Sequence, residues 1–154
     1  MLRSYCYYKR ESIHGVYVVD NMELLKEAKK ARDKAYAPYS NHRVGAALLT
    51  KSGKIYHGCN IENAGFSPTV CAERTAFFKA VFDGEREFAK IAVVGAVDEE
   101  KVDNLCAPCG VCRQVMMEFC DPNEFQIVMA NGKDACVEIL LKDLLPYGFG
   151  PSNL

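Results

Sequence analysis

The sequence predicts an α/β fold in which one β-sheet lies between layers of helices. The first reason is the order of the segments: after an initial hairpin, short β-branched runs alternate with segments of helical spacing. The second is length, since 154 residues suit one domain with a substantial core. The third is composition, because 49% apolar and 25% charged residues are typical of a globular protein and argue against disorder.

The start of the chain differs from the rest. Residues 1–20 are rich in tyrosine and lack a clear helical or strand periodicity over most of their length, so we expect an N-terminal extension that is loosely attached. Residues 21–154 are expected to form a single domain. The longest apolar run, Ile91–Val97, is too short to span a membrane, and no secretory signal is evident. These features favour a cytoplasmic protein.

Four segments are predicted to be helical. In the first, apolar residues recur at helical spacing, and Glu23 follows Asp20 by three residues as in a capping box. Pro38 breaks this first helix. The predicted helices begin at Asp20 or Asn21, at Cys71, at Gly110 and at Cys136, and the last three end at Phe82, Phe119 and Leu144.

Four other segments are predicted to be strands. Two short apolar runs flank Ser52 and Gly53 and indicate a β-hairpin. The third run is continuously β-branched, as in a strand covered on both faces. The predicted strands are Val44–Thr50, Lys54–Cys59, Ile91–Val97 and Phe125–Met129.

Charge and cysteine content narrow the possible functions. The formal net charge is -1, whereas a protein that binds nucleic acid by neutralising phosphates is usually far more basic. The chain has eight cysteines. In a cytoplasmic protein, thiols in this number favour metal binding or thiol chemistry over disulfide bridges.

Three of these cysteines lie where helices are expected to begin. Cys109 and Cys112 are spaced by three, which lets both thiolates reach one ion, and Cys71 begins another helix. Helix N-termini favour the thiolate form that zinc needs. The Cys-x-x-Cys pair alone fits a redox motif, a structural zinc site or a catalytic zinc site. Glu73 favours the catalytic site, since it can stand beside a metal-bound water without being a ligand. Cys-x-Glu followed by Pro-Cys-x-x-Cys is the arrangement of zinc deaminases.

Six ordered motifs extend this likeness from about Tyr36 to Pro151. They are Tyr36-Ala-Pro-Tyr-Ser40, Val44-Gly-Ala-Ala47, Gly58-Cys-Asn-Ile-Glu-Asn-Ala64, Cys71-Ala-Glu-Arg-Thr-Ala76, Pro108-Cys-Gly-Val-Cys-Arg-Gln114 and Leu144-Leu-Pro-Tyr-Gly-Phe149. On these motifs the chain resembles the small homotetrameric cytidine deaminases of nucleoside salvage. The resemblance implies a three-layer α/β/α sandwich with a mixed five-stranded sheet, and a homotetramer with shared active sites. It also implies a small nucleoside as substrate, with no nucleic acid or membrane as partner.

The resemblance assigns a role to each residue of the zinc site. Cys71, Cys109 and Cys112 would bind one Zn²⁺ per subunit, and Glu73 would carry protons during the hydrolytic deamination of cytidine and deoxycytidine. Three thiolates carry excess negative charge, so a nearby cation is expected. The neighbours in sequence are Arg74 and Arg113, and the resemblance selects Arg74. We expect Cys106 to be a packing or solvent-exposed residue, because a fourth thiolate would close the open position of the metal.

The resemblance also implies a set of substrate contacts. These are Asn60, Glu62, Ala72, His42, Ala64, Phe66 and Phe149. Asn60 and Glu62 would bind the ribose 3′-hydroxyl, and the backbone of Ala72 would hold the base. Ala64 and Phe149 would reach the site of a neighbouring subunit.

Two of these positions depart from the family pattern and leave other readings open. His42 replaces a phenylalanine that packs on the base, and Phe66 replaces a tyrosine whose hydroxyl contacts the sugar. The departures predict weaker cytidine binding or a preference for a modified substrate. One alternative is therefore a deaminase of a modified aminopyrimidine nucleoside such as blasticidin S. A second alternative, from a different class, is a structural zinc protein without catalysis.

Overall fold

The computed structural model describes residues 19–154, which form a mixed five-stranded sheet with helices on both faces. The sheet order is β2-β1-β3-β4-β5, in which only β3 and β4 run parallel. The strands are β1 (Arg43–Thr50), β2 (Ile55–Cys59), β3 (Phe88–Ala96), β4 (Gln126–Ala130) and β5 (Cys136–Leu140). The helices are α1 (Asn21–Arg32), α2 (Ala72–Phe82), α3 (Gly110–Phe119) and α4 (Leu141–Leu144), with 3₁₀ turns at Glu99–Lys101 and Pro151–Asn153.

The sheet separates two hydrophobic cores, which confirms the three-layer α/β/α sandwich. On one face, Leu24, Leu25 and Ala28 of α1 pack on alternate residues of the central strands. On the other face, α2 and α3 cover the remaining residues of the same strands, with Phe77 in contact with the Phe88 and Phe125 rings. β3 is buried on both faces from Ile91 to Ala96 because it lies at the centre of the sheet.

Two glycines let the helices lie directly on the sheet. A Cβ atom at Gly45 would come within 2.1 Å of the Ala28 carbonyl oxygen in α1. One at Gly58 would come within 2.1 Å of the Ala72 carbonyl oxygen, in the first turn of α2. Any larger residue at either position would push a helix away from its strand.

A buried arginine links α1 to the end of the sheet at which β1 begins and β3 ends. The Arg32 side chain is 1% exposed, and its guanidinium donates to the Arg43 and Ala96 carbonyls and to both carboxylate oxygens of Glu99. These bonds satisfy a buried charge that would otherwise be costly. They also fix the start of β1 against the end of β3.

Most of the predicted elements are confirmed, and two details are wrong. The hairpin and the helices that begin near Asn21, Cys71 and Gly110 are present. The predicted helix Cys136–Leu144 is instead strand β5 followed by the single turn α4, because the first five residues pair with β4. Asp20 precedes α1, but its side chain makes no capping hydrogen bond, so the capping box does not form.

Three further observations concern the remaining predictions. The N-terminal extension was predicted for residues 1–20, of which 1–18 lie outside the described residues. Cys136 is disulfide-bonded, contrary to the expectation that the cysteines avoid bridges. Within residues 19–154, no helix has both the length and the apolar character needed to cross a membrane.

Candidate metal centre and active site

The three cysteines of the predicted metal site meet between the N-termini of two helices. Cys71 is the N-cap of α2 and Cys109 is the N-cap of α3, and both have extended backbone conformations. Cys112 lies in the first turn of α3 and is 1% exposed. The close packing of α2 on Gly58 sets the position of Cys71 relative to the sheet.

The spacing of the sulfur atoms suits one tetrahedral metal ion. The Cys71 and Cys109 sulfurs are 3.8 Å apart, and those of Cys109 and Cys112 are 3.6 Å apart. All three sulfurs lie within 4.8 Å of one another. Tetrahedral zinc with bonds of about 2.3 Å places two sulfur ligands about 3.8 Å apart. The cluster could therefore hold Zn²⁺ with three protein ligands, leaving a fourth position open.

The groups around the cluster favour the thiolate form of Cys71. The neighbouring Cys112 thiol lowers the pKa of Cys71 to about 5, and the proximity of Cys71 raises the pKa of Cys112. The Arg74 guanidinium donates to the Cys71 sulfur at 3.6 Å and to the Thr69 carbonyl. Among the described residues, Arg74 Nε is a buried nitrogen without a hydrogen-bond partner. Its positive charge thus faces the thiolates that a metal requires.

Glu73 lies beside this cluster in the interior of the protein. Its side chain is buried, with 3% exposure for the residue. Burial raises its pKa to about 7, and the nearby charge of Cys71 acts in the same direction. A carboxyl group with this pKa gains and loses protons readily at neutral pH, as a general acid–base requires.

The other candidates near the cluster have different partners. Arg113 donates to the Pro108 and Leu144 carbonyls, so it holds the C-terminal segment against α3 and does not contact a thiol in the described part of the chain. Cys106 lies outside the three-sulfur cluster, and burial raises its pKa to about 11. Its sulfur packs against Gly95 of β3.

The two predicted sugar-binding residues both contact the segment that leads into β1. The Asn60 amide accepts from the Val44 N–H and donates to the His42 carbonyl, each at 2.8 Å. The Glu62 carboxylate accepts hydrogen bonds from residues 39–40 of the same segment. These two side chains therefore hold a loop in place as well as being candidates for ligand contact.

The remaining predicted contacts differ in exposure. Ala72 is fully buried in the first turn of α2, next to the cluster. His42 and Ala64 are exposed, and so are Phe66 and Phe149, at 77% and 58%. Phe66 has a φ of 53°, a left-handed conformation that is uncommon for an aromatic residue.

Three residues that the sequence analysis did not single out also shape the site. Ser40 binds Glu62, Gly58 makes room for α2, and the Thr69 carbonyl orients Arg74. The only signal for them was that Ser40 and Gly58 lie in motifs of the resemblance. Thr69 acts through its backbone carbonyl, which any residue would provide, so the sequence gives no indication of this role.

Comparison with known proteins agrees with this geometry. Residues 19–129 match the family model described as the cytidine and deoxycytidylate deaminase zinc-binding region. The chain is 48% identical to a cytidine deaminase of Sporosarcina psychrophila over 88% of this chain and 96% of that protein. It is 46% identical to one of Halalkalibacterium halodurans, with 88% and 98% coverage. The crystal structure of a Burkholderia pseudomallei cytidine deaminase has 48% identity and a TM-score of 0.77, covering 85% of this chain and all of that one.

A protein named for the alternative substrate is more distant. Blasticidin-S deaminase of Bacillus cereus is 33% identical over 84% of this chain and 91% of its own length. The family model spans strands β1 to β3, helices α1 to α3 and all three clustered cysteines. This chain is a member of the zinc-binding cytidine and deoxycytidylate deaminase family.

Proposed function

We propose that this chain is a zinc-dependent cytidine deaminase that hydrolyses cytidine and deoxycytidine to uridine and deoxyuridine with release of ammonia. The observation that carries the proposal is the buried Glu73 beside a cluster of three thiols that could hold zinc. The reaction belongs to pyrimidine salvage. We place it in the cytoplasm.

The chemistry requires a nucleophile at C4 of the pyrimidine and a group that moves protons. When bound, zinc would lower the pKa of water toward neutrality and so supply the nucleophile. Glu73 would accept one proton from the attacking water and deliver it to N3. It would then take the remaining proton from the new hydroxyl at C4 and transfer it to the amino group, which leaves as ammonia. Arg74 offsets the charge of the thiolates through its hydrogen bond to Cys71.

We propose that Asn60 and Glu62 bind the ribose and that the Ala72 backbone holds the base. His42 would lie against the pyrimidine. The exposure of Phe66 and Phe149 supports a homotetramer, in which these rings and Ala64 would complete the site of a neighbouring subunit. Light scattering tests this assembly, since a homotetramer has four times the 17.1 kDa mass of one chain.

Ultraviolet-monitored turnover of cytidine, deoxycytidine and blasticidin S tests the proposed activity. We expect the wild type to deaminate the first two nucleosides. Glu73→Gln should lower kcat/KM by about 10²- to 10⁴-fold while the bound zinc is retained. Glu118→Gln changes an exposed carboxylate on α3 in the same way and should leave turnover intact.

Each opposing result has a distinct meaning. A zinc-loaded wild type that deaminates none of the three nucleosides would contradict the proposal and favour a structural zinc protein. Faster turnover of blasticidin S than of cytidine would instead identify blasticidin S as the preferred substrate and leave the proposed mechanism unchanged. Equal losses in Glu73→Gln and Glu118→Gln would remove the catalytic role of Glu73.

A further inference from the structure

Ser40 occupies the centre of a short chain of hydrogen bonds beside the proposed sugar site. Its hydroxyl accepts from the His42 N–H at 3.0 Å and donates to Glu62 Oε1. A serine hydroxyl has a single proton to donate. Glu62 is ionised and can only accept, so the proton of Ser40 is committed to it.

The same carboxylate is held by the backbone of this segment. Glu62 Oε2 accepts from the N–H groups of Tyr39 and Ser40, at 2.9 and 3.3 Å. These bonds lower the pKa of Glu62, with that from Ser40 as the largest cause. A carboxylate has about four acceptor positions, and three of them are used here. The group is thus fixed in orientation and keeps one position free to accept a hydroxyl proton.

Asn60 supplies a hydrogen-bond donor that complements the acceptor of Glu62. Its Nδ2 carries two hydrogens, one of which is bound by the His42 carbonyl. A sugar hydroxyl can donate to a carboxylate and accept from an amide at the same time. Ser40 controls the first of these contacts, because its hydrogen bond occupies one lone pair of Glu62 Oε1 and leaves the other lone pair available.

We propose that Ser40 is a positioning residue that orients the Glu62 carboxylate for recognition of the sugar 3′-hydroxyl, an inference that rests on the proposed nucleoside substrate. Ser40 does not itself need to touch the sugar. The backbone around Glu62 is fixed independently, since its N–H donates to the Tyr36 carbonyl and Ile61 pairs with Val70. Loss of the Ser40 hydroxyl therefore leaves Glu62 Oε1 without its donor, whereas Oε2 keeps its bonds from the Tyr39 and Ser40 N–H groups.

Steady-state kinetics on two substrates separate this role from a structural one. The substrates are cytidine and 3′-deoxycytidine, which lacks the hydroxyl in question. For Ser40→Ala we expect KM for cytidine to rise about 5-fold with kcat within about 2-fold, since uniform binding is lost. The kinetics of 3′-deoxycytidine should be unchanged. Ser40→Thr retains the donor and should restore the KM for cytidine.

A double-mutant comparison adds a second criterion. Glu62→Gln should also raise KM for cytidine, and adding Ser40→Ala to it should cause little further change, because both act through one group. If the alanine variant does not fold, Ser40→Cys weakens the donor with little change in size and should give an intermediate KM.

Several outcomes would overturn the inference. One is an equal loss by Ser40→Ala on both substrates, which indicates a general structural role. Another is an unchanged KM for cytidine, or full additivity with Glu62→Gln. A zinc-loaded wild type that deaminates neither cytidine nor 3′-deoxycytidine would overturn the proposed function, and the role of Ser40 with it.

Discussion

The metal side and the proposed sugar side of the site are built in different ways. The metal side consists of helix N-termini packed on the sheet, and its key side chains, Glu73 and Cys112, are buried. The sugar side consists of loops held by side-chain bonds to backbone, with Ser40 and His42 exposed. A metal ion needs ligands fixed by a rigid framework, whereas hydroxyl recognition needs only a few oriented polar groups. We therefore expect substitutions on the metal side to remove function and those on the sugar side to tune it.

The largest effect is expected for Cys112→Ser. Loss of a buried thiolate leaves two sulfur ligands, so bound zinc should fall from one per chain to near zero. Deamination should drop by about 10³-fold or more, because the metal supplies several kcal/mol of transition-state stabilisation. Metal analysis and turnover of the purified protein measure both quantities.

Cys120→Ser is the matched control for this loss. Cys120 is a partly buried free thiol that lies at the opposite end of α3 and outside the cluster. Its substitution should leave the zinc content unchanged. Equal zinc loss in both variants would show that metal content reflects general stability and would weaken the comparison.

A smaller effect is expected for Gly58→Ala. The new Cβ would meet the Ala72 carbonyl oxygen at 2.1 Å, which forces the first turn of α2 away from β2. We expect a loss of about 1–3 kcal/mol in the free energy of unfolding. Zinc should also dissociate more easily, because Cys71 moves with α2. Urea unfolding and competition with a chelator measure the two effects.

Gly45→Ala provides the comparison on the other face of the sheet. It creates the same kind of clash with α1, which carries no metal ligand in this cluster. We expect a similar loss of stability but little change in zinc affinity. If both variants released zinc equally, the metal side would depend on the whole sheet and not on α2 in particular.

The smallest effect is expected for Phe66→Tyr on the sugar side. The added hydroxyl restores the donor that the family resemblance places here, and one hydrogen bond contributes about 0.5–1.5 kcal/mol. KM for cytidine should therefore fall about 2- to 12-fold with little change in kcat. An unchanged KM would show that Phe66 does not account for substrate preference.

The fold was largely predictable because most of its elements have a clear period and clear ends. The helices α2 and α3 follow Pro68 and Pro108, and the hairpin surrounds Ser52 and Gly53. Strand β5 was not predicted, because five residues beginning at Cys136 are too few to distinguish helical from strand periodicity. Pairing with β4, a long-range interaction, decides its conformation.

The three-cysteine cluster could be predicted residue by residue, whereas the contacts of the proposed sugar side could be predicted only in part. Cys71, Cys109 and Cys112 have a spacing that carries its own chemical meaning. Ser40 acts through Glu62, which lies 22 residues away, and such a contact depends on how two loops meet. Asn41 next to it, Phe66 and Tyr147 are the non-glycine residues with positive φ among those described. Asparagine adopts this conformation readily, whereas the two aromatic side chains give no indication of it.

The separation of the metal ligands along the chain has a consequence for stability. Cys71 and Cys109 are 38 residues apart, with the whole of β3 between them. A metal that joins them closes this loop and restricts the unfolded chain as a covalent cross-link does. The intact cluster exists only in the folded protein. The free energy of unfolding therefore rises with the free zinc concentration once that concentration exceeds the Kd of the cluster for zinc. The persistence of the folded chain is therefore coupled to zinc supply.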